Sequence, residues 1–224
     1  MAALALFSST AFASTITYTF TMNTSSLSGT DGFIDMQFSE GSSASGTTLA
    51  VVSDFQTDGT LVVEDPYTTL FPGGVSLLAT GNVSGTLAQP VTFTADGSAP
   101  INEYTQELTF GNQLSFLVTL SGQGLTSPTC LAGPPYCYQF VLDFLNSTGT
   151  GFLFTNDPTG STPTGWIAGG VNVNNNASTT LFINPGPSNG PSDLTITSSV
   201  PEPATWWMLA GGLLGMIALR RRRR

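Results

Sequence analysis

The sequence predicts an all-β body, an antiparallel β-sandwich, followed by one transmembrane helix at the carboxy-terminal end. Three observations carry this reading. Apolar residues alternate with polar ones in period two at several places, turn dipeptides stand between those stretches, and no amphipathic helical window precedes Ala204. Thr, Ser, Gly and Asn fill the polar positions while Phe, Val and Leu supply the apolar ones, a composition suited to pleated, half-buried surfaces. About a dozen short strands in one body admit a jelly-roll-like sandwich, and the lack of a repeat period argues against a propeller or solenoid.

In chain order, residues 1–13 read as a signal peptide. Ala2 to Phe7 form a short apolar run, and Ala11 and Ala13 flank Phe12 ahead of Ser14 in an A-x-A cleavage pattern. The positively charged amino-terminal region is missing, so the expectation is that Met1 lies inside a longer signal peptide. Residues 14–197 form the extracytoplasmic sandwich. Ile16, Tyr18, Phe20 and Met22 alternate with threonines; Ile34, Met36 and Phe38 alternate with Asp35 and Gln37. Leu114, Phe116, Val118 and Leu120 repeat the pattern, as do Tyr138, Phe140, Leu142 and Phe144. Less regular strands are expected at 49–55, 60–63, 75–79, 91–94, 107–110, 151–154, 177–183 and 194–197. Turns are expected at Asp31-Gly32, Asp58-Gly59, Pro72-Gly73-Gly74 and Asp96-Gly97, and a Pro/Gly-rich loop at 184–192.

The charge pattern is one-sided. His is absent and the only basic residues are Arg220, Arg221, Arg222, Arg223 and Arg224, whereas 13 of the 14 acids lie in the body and Glu202 is the remaining one. Nucleic acid and anionic membrane surfaces are thereby disfavoured as partners of the body, since binding either calls for Lys or Arg. Internal salt bridges are excluded as well, so apolar burial and backbone hydrogen bonds must hold the fold. No cofactor is expected. Calcium is the one ion the donors suit, with Asp31, Asp35, Asp54, Asp58, Glu64 and Asp65 in turn-rich stretches, but no EF-hand loop occurs and the metal ligands stay unassigned.

Catalysis has few groups to use. Without His or Lys, Ser-His-Asp, Cys-His and Schiff-base chemistry are closed. Two carboxylates suffice for glycoside hydrolysis, and Glu103 with Glu107, or Asp54 with Glu64, are the candidate pairs; solvated surface acids are the ordinary alternative. The expectation is therefore a non-enzyme with no catalytic residue. Cys130 and Cys137 enclose Pro134-Pro135 and, in an exported chain, read as a local disulfide; a zinc site lacks further ligands and the spacing is not C-x-x-C. Trp166 between Gly165 and Ile167 reads as a packing residue, with sugar stacking as its functional alternative.

Residues 198–224 form a tail of a different kind. Pro201, Glu202 and Pro203 precede an apolar stretch at about 204–219, which as a helix covers roughly 24 Å, a little short of the ~30 Å hydrocarbon core. Trp206 and Trp207 suit one headgroup interface and the five arginines the other. The positive-inside rule leaves the arginines in the cytoplasm and the body across the membrane. Both prolines keep the preceding segment extended and open to an enzyme.

This order of Pro-Glu-Pro, apolar span and arginine cluster resembles the PEP-CTERM sorting signal of bacterial exported proteins, over about the last tenth of the chain. The resemblance implies recognition by a membrane-embedded processing enzyme, exosortase, cutting near Pro-Glu-Pro. It also implies an inner-membrane-anchored precursor facing the periplasm, then a cell-envelope or matrix protein associated with biofilm and exopolysaccharide. Two other classes stay open for the body. A carbohydrate-binding module predicts a line of exposed aromatics on one sheet face, and a glycosidase predicts two acids facing each other across a cleft.

Overall fold

A computed structural model describes residues 15–41, 46–62, 79–125, 136–149, 153, 168–174, 179–183 and 194–199. The described residues form strands β1 (Ile16–Asn23), β2 (Asp31–Glu40), β3 (Thr48–Thr57), β4 (Thr60–Leu61), β5 (Ala79–Thr80), β6 (Val83–Ser84) and β7 (Val91–Ala95). They continue with β8 (Ile101–Thr109), β9 (Gln113–Gly122), β10 (Tyr138–Asn146), β11 (Gly169–Val173), β12 (Thr179–Ile183) and β13 (Leu194–Ser199). The only helical pieces among them are two single 3₁₀ turns, Ser25–Leu27 and Gln123–Leu125.

All strand pairings are antiparallel and fall into two sheets. The first has the order β13-β1-β9-β3-β7-β6; the second runs β12-β11-β10-β2-β8-β4, with β5 also on β8. Within them the pairs β1–β9, β2–β8 and β3–β7 are nested. The alternating apolar residues of both sheets meet in one core. Phe20 of the first sheet stacks on Phe116 at 5.0 Å and meets Phe140 of the second edge-on at 5.6 Å, while Phe93 packs on the same Phe140 at 6.0 Å. Among the described residues six aromatic pairs stand where the composition forbids ion pairs.

The four regular alternations all form strands with the expected face inward. Elsewhere the structure corrects the reading. Asp31-Gly32 is no turn but the start of β2. A Cβ at Gly32 would strike the Leu145 carbonyl and the Phe110 ring, so this glycine serves close approach of neighbours. β8 begins at Ile101, six residues before the expected start, because its inward positions Asn102 and Gln106 are polar and hide the alternation. Each is satisfied in the core. The Asn102 amide donates to the Phe38 carbonyl at 3.2 Å and its Oδ1 accepts from Asn82 N at 2.7 Å. Tyr104 Oη donates to Gln106 Oε1 at 2.7 Å, and Gln106 Nε2 donates to the Val62 carbonyl at 2.6 Å.

β11 was not expected, since two of its five residues are glycine; at Gly170 a Cβ would collide with the Phe140 carbonyl and the Phe182 ring. β6 was likewise unexpected, and β4 ends at Leu61, short of the expected 60–63 strand. In β3 the register shifts between Ser53 and Gln56, with Asp54 at φ 53°. This bulge turns Phe55 inward onto Phe116 at 6.3 Å, which is why the apolar pattern of 49–55 changes phase. The expected transmembrane helix and the strand at 151–154 lie outside the described residues, apart from Leu153. Among those described, no helix is long and apolar enough to cross a membrane.

Candidate functional site

Register concentrates acids on the outer face of the second sheet. Residues 31, 33, 35 and 37 of β2 alternate away from the core, as do 141, 143 and 145 of β10 and 103, 105 and 107 of β8. Asp35 faces Asp143 directly across β2 and β10, and Thr105 directly across β2 and β8. Cross-strand partners stand about 4.5–5.5 Å apart. Both aspartates are withdrawn from solvent, 3% and 4% exposed, as are their apolar neighbours on the same face, Phe33 and Val141.

The pair is anchored by donors. Asp35 accepts from Gln37 Nε2 at 2.9 Å and from Thr105 Oγ1 at 3.0 Å. Gln37 also donates to Glu103 Oε1 at 3.2 Å, and Thr80 Oγ1 to Glu103 Oε2 at 3.3 Å. Asp143 accepts the backbone N–H of Ala168 at 3.2 Å. Burial raises the Asp35 carboxyl to about 6, with the Glu103 charge adding to the rise and the Gln37 and Thr105 hydrogen bonds opposing it. Burial raises Asp143 further, to about 8, assisted by the Asp35 charge and opposed by the Ala168 N–H. The pair thus loses its protons in two steps, and near neutral pH one carboxyl is ionised while the other holds a proton.

The candidate catalytic pairs singled out from sequence are not brought together in this way. Glu103 and Glu107 share the outer face of β8, with Glu103 opposite Gln37 and Glu107 opposite Phe33. Asp54 sits on the β3 bulge of the other sheet, and its expected partner Glu64 lies outside the described residues with Asp65. Asp31 accepts from Thr109 Oγ1 at 2.7 Å. Asp58 accepts from Gln113 N at 2.9 Å and Asn112 Nδ2 at 2.8 Å, and these bonds, the backbone one first, hold its carboxyl below the usual range. Among the described residues no group of three or more His, Cys, Asp or Glu is placed to hold a metal ion. Asp143 was missed by sequence reasoning. The available signal was Val141 and Leu145, apolar residues on the strand face that alternation alone assigns to water.

Cys137 is buried and is not a free thiol. Cys130, Ala11, Ala13, Trp166 and the whole tail (Pro201, Glu202, Pro203, Trp206, Trp207 and Arg220 to Arg224) lie outside the described residues. The structure does fix where that tail departs. Among the described residues β13 is the last strand and an end strand of the first sheet, and its final residue Ser199 pairs with Thr17 at the start of β1.

A β-rich body whose last strand runs straight into a proline-flanked, apolar and arginine-ended tail defines a class: exported proteins addressed to the cell envelope by a carboxy-terminal signal. Residues 199–223 match the family model of the PEP-CTERM protein-sorting motif, so the chain carries that sorting signal at its carboxy-terminal end, and the signal implies export and processing by exosortase. The chain matches no curated protein and no solved structure.

Proposed function

We propose that this protein is a non-enzymatic structural component of the cell surface or extracellular matrix, made as a precursor anchored in the inner membrane and released or re-attached after exosortase cuts near Pro201-Glu202-Pro203. The observation that carries the reading is the sorting motif beginning at the last residue of β13. In this reading residues 1–13 are removed as a signal peptide, the stretch at about 204–219 spans the membrane, and the arginines remain cytoplasmic. The nested pairings β1–β9, β2–β8 and β3–β7 support a jelly-roll-like sandwich. Cys130 and Cys137 form a disulfide that pins the approach to β10, consistent with Cys137 having no free thiol. The body needs no cofactor, and exopolysaccharide is its matrix partner.

The alternatives receive less support. A stacking carbohydrate module calls for exposed aromatics, whereas among the described residues the exposed large apolar side chains are Ile101 and Leu181. A glycosidase calls for acids that substrate can reach, and Asp35 and Asp143 are buried. The test is fractionation of cells producing the protein with Pro201, Glu202 and Pro203 all replaced by alanine. Retention of the full-length variant in the inner membrane, against wild-type protein in the surface or matrix fraction, is the expected result. Equal distribution of the two would overturn the proposal.

A further inference from the structure

The strand directions sort most of the described connections to one of two rims. β1 rises from Ile16 and β13 descends to Ser199 beside it, so both ends of the body leave from the same rim. β9 descends to Gly122, opposite Thr48 where β3 begins, and Thr48 in turn faces Ala95, the end of β7. In the other sheet Glu40 ends β2 opposite Tyr138, and Ile101 begins β8 opposite Ser39. The two sheets are tied at this rim: Tyr138 Oη donates to the Gly46 carbonyl at 2.9 Å, and Gly97 N donates to Glu40 Oε2 at 2.9 Å. The opposite rim carries Ser25–Leu27, the Asp58-Gly59 turn and residues 110–112, tied by Thr24 N to the Asn112 carbonyl at 2.8 Å and Gly29 N to the Phe110 carbonyl at 2.8 Å.

From Ser199 to Ala204 the chain has five residue steps, which at full extension reach roughly 17 Å. Strands of 8 to 10 residues make the sandwich about 30 Å tall from rim to rim. The tether is therefore shorter than the body, and two of its residues are prolines that restrict bending.

We infer that the anchored precursor stands upright on the membrane on the Glu40, Asp96–Pro100 and Ser199 rim, which faces the lipid headgroups, and that the Ser25–Leu27 and Asp58-Gly59 rim is the free end presented away from the membrane. This inference rests on the membrane-anchored reading above. Both sheet faces then stand side-on to the bilayer: one lined by Thr17, Thr19, Thr21, Thr92 and Thr94, the other holding the acids. The acid-bearing face, in a body without a single cation, does not adsorb to an anionic surface.

The test places one fluorophore on the full chain, at Ser98→Cys on the near rim or Ser26→Cys on the far rim, both exposed positions. The chain is reconstituted in phosphatidylethanolamine–phosphatidylglycerol vesicles with and without nitroxide-headgroup lipid, and unsubstituted chain sets the labelling background. The expected result is that both proteins float with the vesicles, that the Ser98 label loses most of its fluorescence to the nitroxide, and that the Ser26 label keeps most of its own. Floating protein with equal quenching at the two positions, or the reverse order, overturns the upright orientation while leaving anchoring intact. Failure to float removes anchoring and the orientation with it.

Discussion

Replacing Asp143 with asparagine should stabilise the protein, and by an amount that grows with pH. In the unfolded chain both aspartates titrate near 3.8, whereas in the folded protein the pair loses its protons near 6 and near 8. Raised carboxyl pKa values mean that the folded state holds extra protons across this interval. The contribution of the pair is therefore fully present below about pH 4 and is lost as pH rises through 6 and then 8. Each extra proton gives a slope of about 1.4 kcal/mol per pH unit. For Asp143 the cost is about 2 kcal/mol at pH 5 and about 4 kcal/mol at pH 7, against a total stability of roughly 5–15 kcal/mol. Asparagine keeps an Oδ1 to accept the Ala168 N–H and carries no charge to bury. Urea unfolding followed by near-ultraviolet circular dichroism at pH 5 and pH 8 measures the gap between variant and wild type. A gap that widens by a few kcal/mol is expected. A constant gap, or a variant less stable at both pH values, would refute the buried-pair reasoning.

Other outcomes follow from the same packing. Asp35→Asn removes the charge that helps hold Asp143 up, so Asp143 should titrate below about 8, observable as a shift of its carboxyl carbon resonance. Phe140→Ala empties the place where Phe20 and Phe93 of the facing sheet meet, and should cost about 3–5 kcal/mol in chemical denaturation. Asn102→Leu leaves the buried Phe38 carbonyl and Asn82 N–H without their side-chain partner, and should cost about 1–3 kcal/mol in the same measurement. A Cys130–Cys137 disulfide predicts that both thiols take up alkylating label only after reduction, read by peptide mass spectrometry.

The strands with an aliphatic, aromatic or methionine side chain at every inward position were legible because period two and burial coincide there. The tail was legible for another reason: its chemistry is written in contiguous residues and needs no fold to bring them together. What stayed hidden depends on pairing across the chain. Asn102 and Gln106 are inward yet polar, and only their partners from Phe38, Asn82, Val62 and Tyr104 make them core residues. Gly32 and Gly170 look like breakers, but they make room for neighbours that no local window contains. The Asp35–Asp143 pair joins residues over a hundred positions apart through the β2–β10 register, so neither acid announces the other.

The most direct test of the sorting signal is the intact mass of the protein recovered from the envelope and medium of a producing strain, with and without its exosortase. The expected result is loss of the residues beyond about Pro203 only where the enzyme is present, with any added mass identifying the attachment. An unchanged tail in both strains would contradict sorting and leave a plain membrane-anchored protein.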